Sequence, residues 1–304
     1  MIRRSILFTV ICLILHFLFI KAVKPHWKWK ATQHQWQENI VKAQKFIYGE
    51  SFSKRKVIVG SSLSNRLVMD SLEDFCNLSF NAKSIFEGLA LIKKSSQPVQ
   101  SVYIEMNMVL GGSDPSFSSS IVDPVPFYIK KYFFNLREEN QPVGYVGELA
   151  SYKIVKPVFR RMKSLFGNNH GKNTSQQSPL FNKMLKNHAF EFNEKPSEEK
   201  LDQVFNLLKK EITYFAEKNI QVAFFEMPVN KSICNSMRAV AVRESFYKYF
   251  PPQKYNYIDM PDCSAFLTTD GIHLSDTEAA IYTSYFKSSL KGDSTLHHPF
   301  QIVR

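Results

Sequence analysis

With 304 residues the chain can bury a full α/β core, and its formal net charge of +12 sets it among proteins that meet anionic surfaces. It has no zinc-finger spacing, no glycine-rich phosphate loop and no aromatic RNA-binding signature, so nothing in it asks for nucleic acid. Membrane headgroups and acidic polymers suit the charge equally well.

Taken in order, Arg3 and Arg4 precede an apolar run over residues 6–20, broken only by Thr9 and His16 and closed by Lys21 and Lys24. Charges bracket this run too sharply for a buried core helix, and no clean small-x-small cleavage site follows. We therefore expect residues 1–24 to be a signal anchor that crosses the cell membrane once and places the rest of the chain outside the cytoplasm; a cleaved signal peptide is the alternative. Residues 25–50 follow as a juxtamembrane segment, with Trp27, Trp29 and Trp36 either at headgroup level or packed on the globular domain expected over residues 51–304.

The first strand is predicted at 57–60 and a helical pattern from Asn65 through Leu67, Val68 and Leu72. A second strand follows near 76–80, an amphipathic helix over 84–94 and a third strand over 101–107. Strand, helix and strand at this spacing predict right-handed crossovers and a parallel sheet. Residues 110–196 break the rhythm with a Gly and Ser loop, the basic aromatic segments PVPFYIKKYFFNL and SYKIVKPVFRRMKSLFG, and a polar loop over 167–179. We expect a partly helical insertion there. Ser197 then caps an apolar-striped helix. A buried strand follows over 221–228, then a helix near 237–250, a fifth strand over 255–260, and a last helix opened by a Ser275 and Glu278 capping box. Cys12 falls in the anchor; Cys234 and Cys263 each trail a predicted strand, where they suit either a disulfide or two buried thiols.

The chemistry gathers at strand ends. Ser62 follows the first strand in VIVGSSLSNRL, Asn107 ends the third, and Asp270 and His273 lie in DGIHLS after the fifth. In an open parallel sheet these carboxyl ends share one edge. A serine nucleophile, a histidine base and an acid three residues before it are the parts acyl transfer needs. His170, His188 and His273 lack the spacing of metal ligands, and no motif calls for a metal or cofactor.

Gly60, Ser61 and Ser62, with Asn107 and the Asp270 to His273 block, resemble the SGNH (GDSL-like) hydrolase superfamily from residue 57 to 290. The resemblance implies a three-layer flavodoxin-like α/β fold of about five parallel strands. It makes Ser62 the nucleophile, His273 the base, Asp270 its orienting acid, and Asn107 with the Ser62 amide the oxyanion hole. Ser61 stands where that family has aspartate, and Ala82 or Lys83 where it has the glycine of the oxyanion hole; the Ala82 amide can still donate. The anchor and insertion further resemble membrane-anchored members that work beside a membrane-bound O-acyltransferase on envelope polysaccharides or related polymers. That likeness implies an O-acyltransferase or esterase; a degenerate glycan-binding or scaffold subunit is the alternative.

Overall fold

The computed structural model describes residues 2–23, 34–49, 55–141 and 178–291. Trp27, Trp29, the basic segment 151–167 and most of the loop 167–179 lie outside them. The chain divides into two compact units, Met1–Glu50 with Ser119–Gly171, and Ser51–Ser118 with Lys172–Arg304.

The second unit is built on β1 (Lys56–Gly60), β2 (Phe75–Ser79), β3 (Ser101–Glu105), β4 (Gln221–Phe225) and β5 (Asn256–Tyr257). They form one sheet in the order β2-β1-β3-β4-β5, and every pairing is parallel. In this doubly wound order the winding reverses between β1 and β3, which opens a crevice beyond the carboxyl ends of those two strands.

Helices cover both faces of the sheet because each strand is apolar on both sides. On one face Phe286, from α10 (Asp276–Lys291), meets Phe75, Tyr103 and Phe225 at ring-centroid distances of 6.0, 5.9 and 5.1 Å. On the other, Phe224 meets Phe246 of α9 (Met237–Tyr249) at 5.2 Å, and Phe246 meets Phe205 of α7 (Glu198–Glu217) at 4.9 Å. Burying one such ring contributes roughly 2–3 kcal/mol before cavity terms, so these aromatic layers fix which helix lies on which face. Ser197 caps its helix as expected, accepting from the Lys200 amide at 3.2 Å. The expected Ser275 and Glu278 box forms by half, since Ser275 Oγ accepts the Glu278 amide (3.3 Å) while the Ser275 amide donates to the Leu267 carbonyl (3.2 Å). A full capping box, Ser84 with Glu87, opens α3 (Ile85–Lys94), where none was anticipated.

Two expectations are corrected. The helix expected from Asn65 is instead a pair of 3-10 turns, Ser64–Arg66 and Met69–Ser71. Side chains from elsewhere take the backbone groups a helix would use: the Asn77 amide donates to the Ser64 carbonyl (2.8 Å), and the Val68 N–H donates to Thr283 Oγ1 (3.0 Å). The third, fourth and fifth strands are also shorter than expected, ending at Glu105, Phe225 and Tyr257, with single further bonds from the Met106 and Ile258 amides beyond the paired registers. Within the expected insertion, α6 (Pro179–Phe192) buries Phe181 and Phe192 in the α/β unit.

In the first unit α1 (Ile2–Val23) holds a 21-residue stretch, Ile2–Ala22, with mean hydropathy 2.3, long and apolar enough to cross a membrane. Its polar interruptions are satisfied. Thr9 Oγ1 donates to the Ser5 carbonyl at 2.9 Å, and His16 Nε2 donates to the Asn140 carbonyl at 2.9 Å. The unit also holds α2 (Gln35–Tyr48), α5 (Pro124–Tyr132), and the later part of α4 (Pro115–Val122), where the Ile121 carbonyl accepts from Tyr48 Oη at 2.9 Å. Burial pushes that Tyr48 hydroxyl up to about 12, with the nearby Arg137 charge opposing it.

Candidate active site

The crevice beyond β1 and β3 gathers residues far apart in sequence. Ser62 Oγ lies 2.8 Å from His273 Nε2, and His273 Nδ1 lies 2.6 Å from Asp270 Oδ2. A ring nitrogen facing a carboxylate carries the proton, so Nδ1–H donates to Asp270 and Nε2 is left to accept from the serine hydroxyl.

The Asp270 loop is shaped by its own acid. Asp270 Oδ1 accepts the amides of Ile272 (3.0 Å) and His273 (2.8 Å), while Oδ2 holds the ring. Burial works to raise the Asp270 pKa, yet these hydrogen bonds and the His273 charge outweigh it and hold the carboxyl well below the usual carboxylate range. Gly271 makes the turn at φ 105°, and a Cβ there would come within 2.9 Å of Leu185 Cδ1 on α6. Its carbonyl accepts from the Asn230 amide (2.8 Å), at the start of α8 (Lys231–Cys234).

The Ser62 turn is held by Glu105, a residue fully shielded from solvent at the end of β3. Its Oε2 accepts the amides of Ser61 (2.9 Å) and Ser64 (3.1 Å) and the Ser64 hydroxyl (2.5 Å), and its Oε1 accepts the Ser61 hydroxyl (2.7 Å). Ser62 is thus held by bonds on both sides. Gly60 leaves the room this requires, since a Cβ there would lie 2.1 Å from Ser64 Oγ and 2.5 Å from Glu105 Oε2. Asn65 and Arg66 then brace the turn sideways. Asn65 Nδ2 donates to Asn81 Oδ1 (2.9 Å), beside Ala82, and Arg66 Nη1 donates to the Leu274 carbonyl (3.0 Å), beside His273.

Ala82 is exposed and holds φ 55°, the left-handed conformation that glycine adopts freely. Neither its amide nor that of Ser62 donates a hydrogen bond among the described residues. Asn107 is placed differently. Its Nδ2 donates to the Met227 carbonyl (2.9 Å) and its Oδ1 accepts the Met227 amide (2.8 Å), adding one side-chain rung beyond the β3–β4 ladder. One N–H of that amide is left for any other partner.

Beside the Asp270 loop, Cys234 on α8 is joined to Cys263 by a disulfide. Arg243 reaches the Cys234 carbonyl (2.6 Å) while forking onto buried Glu226 through Nε (2.7 Å) and Nη2 (2.8 Å). The sequence reading missed Glu105 as a support, the Asn65 and Arg66 braces, and this ion pair. An acid ending an otherwise apolar strand was the visible signal for Glu105. No protein-family model matches the chain, and no curated protein matches it.

Proposed function

We propose that the chain is a serine-dependent O-acyltransferase or esterase, akin to the SGNH hydrolases, that acts outside the cytoplasm on an envelope polysaccharide or a related polymer. The observation that carries this reading is the continuous Ser62, His273 and Asp270 relay, with 2.8 Å and 2.6 Å links. As Ser62 Oγ attacks an acyl carbonyl, its proton passes to His273 Nε2 and the Ser62 and Ala82 amides receive the developing oxyanion. The alcohol of the donor ester leaves with that proton. A polymer hydroxyl, or water, then gives its proton to Nε2 as its oxygen attacks the acyl carbonyl, and Ser62 Oγ leaves taking that proton back from Nε2, which restores the resting relay. Placement outside the cytoplasm is favoured by the disulfide together with a helix able to span a membrane. A membrane-bound O-acyltransferase is the partner this reading suggests as acyl source.

The test is covalent. A fluorophosphonate probe should label the Ser62 peptide of the purified full chain, and Ser62→Ala should lose both labelling and ester cleavage, the latter by about 10⁴-fold or more. A second reading, a glycan-binding or scaffold subunit, is favoured by the Asn107 side chain being clasped to Met227. An unlabelled wild-type Ser62 would select it.

A further inference from the structure

Helix α5 is unusual in which face it hides. Phe127 turns inward onto Tyr48 at 5.6 Å, while Val125, Tyr128, Ile129 and Tyr132, one stripe at i, i+3, i+4 and i+7, are 70, 56, 43 and 70 % exposed. Phe133 extends the stripe at 59 % exposed, and Lys130 and Lys131 lie beside it. An apolar stripe of this size facing outward on a helix marks a surface that meets something other than water.

Its position in the first unit indicates what. The 3-10 turn Phe134–Leu136 directly after α5 docks on α1: Phe134 packs edge-on against Phe17 (5.3 Å) and against buried Ile20, while Asn140 holds His16 (2.9 Å). Ile20 lies two residues, about 3 Å of helical rise, before the end of the apolar span at Ala22, and His16 lies about 9 Å before it. That is the depth at which interfacial helices sit, roughly 5–10 Å into the headgroup and acyl boundary. Arg137, just past the turn, ties it back to the end of α5, its Nε donating to the Lys130 carbonyl (2.9 Å) and its Nη2 to the Lys131 carbonyl (3.3 Å).

We propose that α5 is a second membrane contact, an in-plane helix whose Val125, Tyr128, Ile129 and Tyr132 stripe seats in the outer layer of the bilayer that α1 crosses, with Lys130 and Lys131 toward anionic headgroups. The helix runs directly into the turn that docks on the anchor, and its stripe carries the aromatic, aliphatic and basic mixture such helices use. The inference rests on α1 spanning the membrane and is independent of the Ser62 chemistry.

The full chain is reconstituted in phosphatidylcholine and phosphatidylglycerol vesicles with one environment-sensitive fluorophore per molecule. Cys12 and Cys76 are the described cysteines outside the Cys234–Cys263 disulfide. Cys76→Ser therefore leaves Cys12 for labelling inside the anchor, and a Cys12→Ser, Cys76→Ser background receives Ile129→Cys, Tyr132→Cys, or Lys210→Cys on α7 as an exposed control. Nitroxide lipids should quench Cys12 deeply and positions 129 and 132 at roughly 5–10 Å below the phosphates, and dithionite should reduce the label at 210 but spare both. Dithionite reduction at 129 and 132 as fast as at 210 would overturn the proposal. Labels there shielded from both quenchers would assign the stripe to a second copy of the chain and overturn it equally. Loss of lipid quenching at Cys12 would remove the anchor itself, and the proposal with it.

Discussion

Glu105 is the most exacting point at which to test the site, because it is shut off from solvent and yet holds the turn that carries Ser62. Glu105→Gln keeps its shape and removes its charge. Three donors converge on Oε2, namely the Ser61 amide (2.9 Å), the Ser64 amide (3.1 Å) and the Ser64 hydroxyl (2.5 Å). A glutamine oxygen placed there keeps all three. Its NH₂ then faces Ser61 Oγ (2.7 Å), which must turn from donor to acceptor while still receiving the Leu63 amide at 3.2 Å. A bond to a charged acceptor is worth roughly 1.5–3 kcal/mol and a neutral one roughly 0.5–1.5, so three weakened bonds cost about 3 kcal/mol. Relief from burying a charge offsets part of this, leaving a loss of about 1–3 kcal/mol. Glu105→Ala instead strands every donor in a dry pocket and should prevent stable folding. In the folded Gln variant a looser turn displaces Ser62 Oγ from Nε2, and misplacement on the 1 Å scale costs about 100-fold in rate. Initial rates on p-nitrophenyl acetate, read beside thermal unfolding, should show kcat down about 10- to 100-fold with KM nearly unchanged. A Gln variant with wild-type kcat and wild-type Tm would refute Glu105 as a positioning residue.

The remaining predictions follow from the same loops. Ala82→Gly should raise stability by about 1 kcal/mol, since the left-handed conformation at φ 55° costs alanine roughly 1–2 kcal/mol and the added unfolded-state freedom of glycine returns part of it; a lower Tm would contradict this. Replacing Cys234 and Cys263 with serine opens a loop spanning 29 residues, for a loss of about 3 kcal/mol, and should lower kcat as well because Asn230 next to α8 holds the Gly271 carbonyl; chemical denaturation and ester kinetics read the two effects separately. Asp270→Asn should lower kcat about 10⁴-fold, because an amide NH₂ at the Oδ2 position opposes the Nδ1 proton and selects the wrong tautomer. The folded Asp270 pKa is depressed, so its contribution is fully present above the unfolded carboxylate pKa of roughly 4 and is lost progressively as pH falls from there through the folded pKa. The stabilities of wild type and Asp270→Asn should therefore draw together step by step as pH is lowered below about 4, and curves that stay parallel would speak against the assignment.

The sheet was legible in the sequence because its strands are continuous apolar runs such as VIV, VYI and VAFF, and burial on both faces leaves few other ways to place them. The Ser62, Asp270 and His273 trio was legible because each residue follows a strand and the winding order brings those ends together. What stayed hidden is the set of side chains that act on distant backbone. Nothing local in SNRLVM says that Asn77 will take the Ser64 carbonyl or that Thr283 will take the Val68 amide, so the periodicity of Leu67, Val68 and Leu72 reads as a helix that tertiary bonds replace with tight turns. Asn107 shows the same limit from the other side. Its position after β3 suggests an oxyanion donor, and nothing local says that Met227, far along the chain, will take its Oδ1 and one of its two N–H groups.

Ser61 and Glu105 belong to one physical solution. In the proposed kinship the position before the nucleophile carries an aspartate, whose carboxylate is absent here. A turn that presents a serine above a sheet edge leaves amides pointing back beneath it, and these need an acceptor wherever they are buried. At this turn the acceptor arrives from the neighbouring strand, at a depth where Gly60 has no side chain to block it. Because β3 lies on the far side of the point where the winding reverses, the carboxylate enters from below the crevice and leaves the face above Ser62 to His273. The serine at position 61 is therefore compatible with an ordered Ser62 turn, whose buried amides find their acceptor in Glu105 rather than in an adjacent side chain.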